Sequence, residues 1–290
     1  MKPSTSLFID IRGLRYHIRS WGDNDAPKLF MLHGWMDVSA SFQFTVDALK
    51  GDWHVLAPDW RGFGLTDWAP ADYWFPDYVA DLDVLLNLLS HDEPATIVGH
   101  SMGGNIAGLY AGARPERVAR LILAEGFGMP PTVPEQAPRR VQKWLDQVSQ
   151  PPGFRPYTSL EEVAKKLLSN TPGLGEDRAH FLAPNWAQEV SPGRFELRAD
   201  PRHKMVNPVL YRHEEAIQFW KQITAPVCWI HSGTDWIRKF MKENDHLLEQ
   251  YRASYALFTE KRIDGASHMM HHDQPEKFAG AIEEFLDQHA

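Results

Sequence analysis

A three-layer α/β domain with a mostly parallel sheet, interrupted by one helical insertion, is the fold class that this sequence predicts. Three observations carry the reading. Short apolar runs alternate with helical periodicity through residue 126, the alternation stops between Met129 and Val209, and it resumes to the end of the chain. Strands separated by helices pair in parallel, and the crossover helices cover both faces of the sheet.

Residues 7–12 and 15–21, joined at Gly13, read as two strands suited to a hairpin. Residues 28–33 form an apolar run ending at Gly34. Residues 54–59 form another and close in Trp60-Arg61-Gly62-Phe63-Gly64, a turn-rich segment. Phe75, Tyr78, Val79, Leu82, Leu85, Leu86 and Leu89 recur at helical spacing, and Pro76-Asp77 suits a first helical turn. Residues 94–99 and 120–126 are two further apolar strands. The proline-rich stretch that follows contains amphipathic helical patterns at 139–148 and 160–168. It also holds a small hairpin, residues 187–190 and 194–198 flanking Ser191-Pro192-Gly193. An excursion of roughly 80 residues is too long for a loop in a compact domain and reads as an inserted lid. The expected organisation is a core of residues 1–128 and 210–290 carrying a lid of residues 129–209. Beyond the lid a helix is expected at 213–223, a strand at 226–232, a helix at 239–252, a strand at 254–263 and a final helix at 274–288.

Composition narrows the function class. With 290 residues, 43% hydrophobic and 23% charged, the chain is ordinary globular protein with room for one large core. A net charge of −8 and the absence of a Lys/Arg cluster argue against a nucleic-acid or anionic-membrane surface. A single cysteine, Cys228, leaves no intrachain disulfide and fits a buried strand position and a reducing compartment. The first ten residues lack a signal-peptide apolar run, and no stretch approaches the roughly 20 apolar residues of a membrane span. The expectation is a soluble, cytoplasmic protein.

The segment with the most chemistry is Gly99-His100-Ser101-Met102-Gly103. It follows the apolar run Pro94-Ala95-Thr96-Ile97-Val98 and leads into a small-residue helix containing Gly104, Ala107, Gly108 and Ala111. Strand, tight turn and helix form the context of a nucleophile elbow. A Cβ two residues before or after the serine would crowd the neighbouring elements. The helix start also brings N–H groups and a positive dipole end to the hydroxyl.

Serine attacks only when a base takes its proton and a third group orients that base. Asp235 lies in the turn after the strand expected at 226–232, and His268 follows the last strand in Gly265-Ala266-Ser267-His268. Ser101, Asp235 and His268 thus occur in the Ser…Asp…His chain order of hydrolases built on this topology. The negative charge of a tetrahedral intermediate requires two N–H donors. Met102, after the nucleophile, supplies one. The turn His33-Gly34-Trp35 supplies the other, with Trp35 N–H as donor and Gly34 permitting close approach. Loss of one such donor costs ~3–4 kcal/mol of transition-state stabilisation in a serine protease.

On these motifs, with Asp37 and Asp59-Trp60-Arg61-Gly62-Phe63-Gly64, the chain resembles the α/β-hydrolase superfamily from His33 to His268. Residues 33–42 are similar to the subgroup named serine hydrolase-like proteins. The resemblance implies a mostly parallel eight-stranded sheet flanked by helices, with an inserted, mainly helical lid. Some relatives, among them certain haloalkane dehalogenases, keep the triad acid at the end of the sixth strand, where this chain has Glu125. Glu125 is therefore the alternative to Asp235, the favoured acid. His271-His272-Asp273 lacks the i, i+4 ligand spacing of a helical metal motif, so structural or solvated histidines are expected and no metal or cofactor. His33 and His100 read as hydrogen-bonding supports, and Asp37 as a residue that fixes its loop.

A serine nucleophile, where relatives with aspartate form alkyl-enzyme esters, points to acyl transfer. Trp144, Phe154, Tyr157, Phe181 and Trp186, with Met129 and Met205, read mostly as lid core, some of them roofing an apolar pocket. Trp35, His100, Met129, Trp144, Trp186 and Trp236 are the candidate pocket residues. The expected substrate is a small to medium hydrophobic carboxylic ester. A lactonase, a thioesterase or a carbon–carbon bond hydrolase uses the same parts, and a small-molecule receptor on the same fold is the reading from a different class.

Overall fold

The computed structural model describes residues 1–232, 236–241 and 244–289, with the side chains at 172, 236 and 237 left aside. The strands are β1 (Ser4–Ile11), β2 (Leu14–Trp21), β3 (Lys28–Leu32), β4 (His54–Pro58), β5 (Ala95–His100), β6 (Val118–Ala124), β7 (Ala187–Ser191), β8 (Arg194–Leu197), β9 (Val227–Ser232) and β10 (Phe258–Ile263). The helices are α1 (Gln43–Ala48), α2 (Phe75–Leu89), α3 (Met102–Ala113), α4 (Ala137–Ser149), α5 (Leu160–Asn170), α6 (Glu176–Trp186), α7 (His213–Trp220), α8 (Trp236–Phe240), α9 (Asp245–Arg252), α10 (Met270–Asp273) and α11 (Pro275–Gln288). Eight strands make one sheet in the order β1-β2-β4-β3-β5-β6-β9-β10, and β7 pairs with β8 in a separate hairpin. Within the sheet β1–β2 and β2–β4 are antiparallel and the other five pairs run parallel, a mostly parallel sheet as expected.

The two-residue period of the strands divides the core. Phe30 and Leu32 of β3, Ile97 of β5, Leu121 and Leu123 of β6 and Trp229 of β9 pack on one face with residues of α2, α3, α7 and α9. Leu29 and Met31, Val98, Ile122, Cys228 and Ile230 pack on the other with α1 and α11. Each such side chain withdrawn from water contributes roughly 1.5–3 kcal/mol. Residues between β6 and β9 have an apolar cluster of their own, in which Val163, Leu167, Ala179 and Leu182 gather against Phe44 of α1. No described helix is long and apolar enough to cross a membrane.

The chain departs from the expected elements at several points, the short helices α1 and α10 among them. The helix expected over 239–252 is two pieces, α8 and α9, on either side of residues 242–243, which lie outside the described residues. Asn244 starts the second piece, its Oδ1 accepting the Leu247 N–H at 3.0 Å. The last strand begins at Phe258, because Ala253–Tyr255 are still held in the turn that closes α9. Helix α6, absent from the sequence reading, contains Pro184, a helix breaker that hides the pattern.

Candidate active site

Parallel strands bring their carboxyl ends to one edge, and the chemistry gathers there. β5 runs into Ser101, whose φ of 50° and ψ of −113° are strained for a residue with a side chain. The turn is held by the Ser101 N–H, which donates to the Ala124 carbonyl at 2.8 Å, and by the Asn105 N–H, which donates to Ser101 O at 3.1 Å. Its compactness depends on glycine. A Cβ on Gly103 would stand 2.2 Å from Leu32 O, and one on Gly99 2.6 Å from Gly103 O.

His268 lies in the loop after β10, tied by the Ser267 N–H to Asp273 at 2.9 Å and by the Met269 N–H to the Ser267 hydroxyl at 3.1 Å. The imidazole Nε2 is 3.2 Å from Ser101 Oγ. The His268 carbonyl, which can only accept, takes a hydrogen bond from His100 Nε2–H at 2.8 Å. The imidazole is thereby fixed at its backbone and at the atom facing the serine.

Asp235 lies outside the described residues, as does the side chain of Trp236. Glu125 can be placed. Just past β6, with a left-handed φ of 53°, it accepts the Ser232 N–H at 2.5 Å through Oε1. Its buried Oε2 is 3.9 Å from His268 Nδ1, near enough for charge but too far for a hydrogen bond.

The turn after β3 lies against the elbow. A Cβ on Gly34 would come within 2.9 Å of His100 Nδ1 and 3.1 Å of Ser101 Cβ. His33 braces this turn. Its Nδ1–H donates to Gly34 O at 2.7 Å, and its Nε2 accepts the Trp60 N–H at 2.9 Å. The Trp60 indole returns a hydrogen bond to His33 O at 3.0 Å. Asp59, one residue earlier, accepts the Ser39 N–H at 2.6 Å, the Leu65 N–H at 2.9 Å and His17 Nδ1 at 2.7 Å. Burial alone would raise the Asp59 pKa, but His17 and these N–H groups outweigh it and hold the carboxylate at about 2. The Asp59–Gly64 motif thus supports the turn that faces the serine. Met36 in that turn has a left-handed φ of 60°, which no feature of the sequence marks.

Asp37 fixes its loop by accepting the Val38 N–H at 2.9 Å and the Ser41 hydroxyl. Its other oxygen accepts His271 Nε2–H at 2.9 Å, a contact across 234 residues that no local pattern reveals. His271 and His272 are buried rather than solvated, because α10 tucks them beneath the Asp37 loop. Burial, with neighbouring histidines, takes both pKa values down to about 3 and puts that of His100 well below its ordinary value. All three rings are therefore neutral at pH 7.

The candidate pocket residues divide. Trp35 is 53% exposed, its indole donating to His203 O at 3.2 Å, and Met129 is also exposed. Trp144 is half-buried on α4, and Trp186 points its indole at Ser41 at 3.5 Å. His100 is a correction. At 1% exposure, with its ring against His268 and His271, it stands behind the histidine and not in a pocket wall. Tyr157, Phe181 and Trp186 pack into the cluster around Val163 and Leu182, while Phe154 packs on the main core. A cavity of about 60 Å³ lies beside the site, bounded by Arg19, Val38, Ser39, Asp59, Asn185 and Arg198, and neither Ser101 nor His268 lines it.

Comparison with known proteins agrees with this architecture. A serine hydrolase-like protein of Danio rerio is 28% identical over 277 residues, covering 92% of this chain and 83% of that protein. A serine hydrolase-like protein of Dictyostelium discoideum is 26% identical over 288 residues, covering 94% and 79%. Among solved structures, the thioesterase domain from the curacin biosynthetic pathway superposes with a TM-score of 0.85 at 22% identity, over 97% of this chain and 99% of that one. E-2-(acetamidomethylene)succinate hydrolase superposes at 0.76 with 20% identity, over 98% and 100%. At these identities the structural likenesses speak for the fold alone. The family model described as the alpha/beta hydrolase fold matches residues 27–275, and the chain belongs to that family.

Proposed function

We propose that this chain is a serine esterase that cleaves a carboxylic ester of a small to medium hydrophobic substrate through an acyl-enzyme on Ser101. The observation that carries the reading is Ser101 Oγ on a strained elbow, 3.2 Å from His268 Nε2. In the proposed reaction Nε2 takes the hydroxyl proton as Oγ attacks the ester carbonyl. The tetrahedral oxyanion is received by the N–H groups of Met102 and Trp35. The imidazolium then protonates the departing alcohol. A water deprotonated by the same nitrogen attacks the acyl carbonyl, and collapse returns the proton to Oγ and releases the acid.

Asp235 is the proposed orienting acid at His268 Nδ1. In support, Glu125 is too distant to hydrogen-bond that nitrogen and already accepts the Ser232 N–H at the end of β9, three residues before Asp235 in the sequence. Glu125 then acts as a second, buried negative charge beside the imidazolium. Residues 129–209 are the proposed lid. Their separate apolar cluster, seated on Phe44, supports that role. Trp35, Met129, Trp144, Trp186 and Trp236 are the proposed apolar contacts with substrate.

The test is stopped-flow release of nitrophenol from a short-chain nitrophenyl ester. Wild type should show a burst of about one equivalent followed by slower turnover. Ser101→Ala and His268→Ala should lose the burst. Equal rates in all three proteins would remove the proposed chemistry.

A further inference from the structure

Four buried side chains, Asp37, His100, His271 and His272, gather behind the catalytic histidine with more lone pairs than proton donors to meet them. His100 Nε2 carries the proton given to the His268 carbonyl, so Nδ1 holds a lone pair. His271 Nε2–H is given to Asp37, so its Nδ1 is likewise a lone pair. Both Nδ1 atoms, and both ring nitrogens of His272, are buried without a hydrogen-bond partner. Among the described residues, the ionic contacts of Asp37 are to histidine alone, with no lysine or arginine to balance its charge.

We propose that Asp37, His100 and His271 form a binding site for one divalent transition-metal ion of borderline softness, with Zn²⁺ as the type. One ligand atom from each of the three lies within 4.8 Å of the others. Bonds of 2.0–2.1 Å in a tetrahedral shell place ligands about 3.4 Å apart, so closure needs side-chain shifts on the order of 1 Å. The His271 ligand is Nε2, whose proton passes to Nδ1 as the ion replaces the hydrogen bond to Asp37. Two imidazoles and a carboxylate with a fourth position open form a common zinc donor set. The outer contacts that such sites need are present. The Val38 N–H and Ser41 hydroxyl hold Asp37, and His100 gives its second ring N–H to a backbone carbonyl. That carbonyl belongs to His268, so an ion here is linked to the backbone of the proposed base. The expectation of no metal rested on the spacing within residues 271–273, whereas these ligands converge from the β3 turn, the end of β5 and α10.

The test starts with protein stripped by chelator and dialysed against Zn²⁺, with Co²⁺ as a spectroscopic probe. One tightly held equivalent of Zn²⁺ is expected, and the intense visible bands of four- or five-coordinate Co²⁺. His271→Gln and Asp37→Asn should each weaken binding by at least about 10-fold. His180→Gln, on an exposed lid histidine paired with Glu161, should leave it unchanged. Retention of no Zn²⁺, meaning that buried water alone fills the cluster, overturns the proposal, as does binding that survives both cluster variants or is lost in His180→Gln. Because Asp37 also fixes its loop, Zn-edge X-ray absorption on the wild type gives a second reading independent of the variants. Imidazole scattering from two ligands is the expected shell, and a shell without imidazole refutes the site.

Discussion

The two acids near His268 make unequal predictions, and the distances on the page set the size of one of them. Glu125 Oε2 is 3.9 Å from His268 Nδ1. A full negative charge at that distance stabilises the imidazolium by about 1 kcal/mol at the dielectric of water and about 4 kcal/mol at an effective dielectric of 20. The imidazole is one quarter exposed, which places the value inside that range. Glu125→Gln removes the charge and keeps an oxygen to accept the Ser232 N–H, so the β6–β9 junction survives. The expected loss in kcat/KM is therefore about 10- to 100-fold, the middle of that range at ~1.4 kcal/mol per decade. Asp235→Asn should cost far more, about 10⁴-fold, because loss of the orienting carboxylate leaves the imidazole in the wrong tautomer. Steady-state hydrolysis of a nitrophenyl ester by the two single variants and the double variant measures both effects and their coupling. A Glu125→Gln loss equal to or larger than that of Asp235→Asn would move the orienting role to the end of β6 and refute the assignment to Asp235.

Gly103→Ala should abolish cooperative folding or lower the melting temperature severely, since its Cβ meets the Leu32 carbonyl at 2.2 Å; a thermal melt with little change would contradict the elbow packing. Phe127 stacks on Trp229 with ring centroids 4.2 Å apart and is fully buried, so Phe127→Ala should cost about 3–5 kcal/mol in urea unfolding. His203 lies between Phe63 and Tyr73, and burial takes its pKa down to about 3. The unfolded chain protonates this histidine below about pH 6.5 while the folded one does not. Stability is thus fully present above that pH and falls by up to ~1.4 kcal/mol per pH unit on acidification towards 3. His203→Phe should reduce the slope of stability with pH by up to ~1.4 kcal/mol per pH unit between pH 7 and pH 4, leaving the share of the other buried histidines, and an unchanged slope would refute this account.

What the sequence reveals here depends on how local the physics is. The elbow is legible because strand, glycines and helix start lie within about ten residues, and their steric demands act on immediate neighbours. The alternation of strands and helices is legible the same way, from apolar runs that alternate with helical spacing, whereas the eight-stranded sheet is implied by the family resemblance. Glu125 is different. Its place at the end of β6 is readable, but its left-handed backbone and its bond to Ser232, 107 residues away, come from the register of β6 against β9. The pairing of Asp37 with His271 is more remote still, because α10 is brought to the β3 turn by packing on α11 and α1. Helix α6 escaped notice for a local reason, Pro184 inside its last turn.

The supports of the site show why such distant contacts matter for chemistry. The turn that faces Ser101 has no regular secondary structure, so side chains must define its position. His33 does this in the neutral form, with Nδ1–H to Gly34 and Nε2 taking the Trp60 N–H, a pattern that protonation would break at Nε2. Burial, the largest influence on His33, lowers its pKa and keeps it in that form. His100 does the corresponding task for His268, and it too is held neutral by burial. Two histidines are thereby fixed as one-donor, one-acceptor braces, while the partly exposed His268 is left as the ring with access to a proton acceptor's role at Ser101. The same burial that makes the braces rigid leaves the Nδ1 atoms of His100 and His271 without a hydrogen-bond partner.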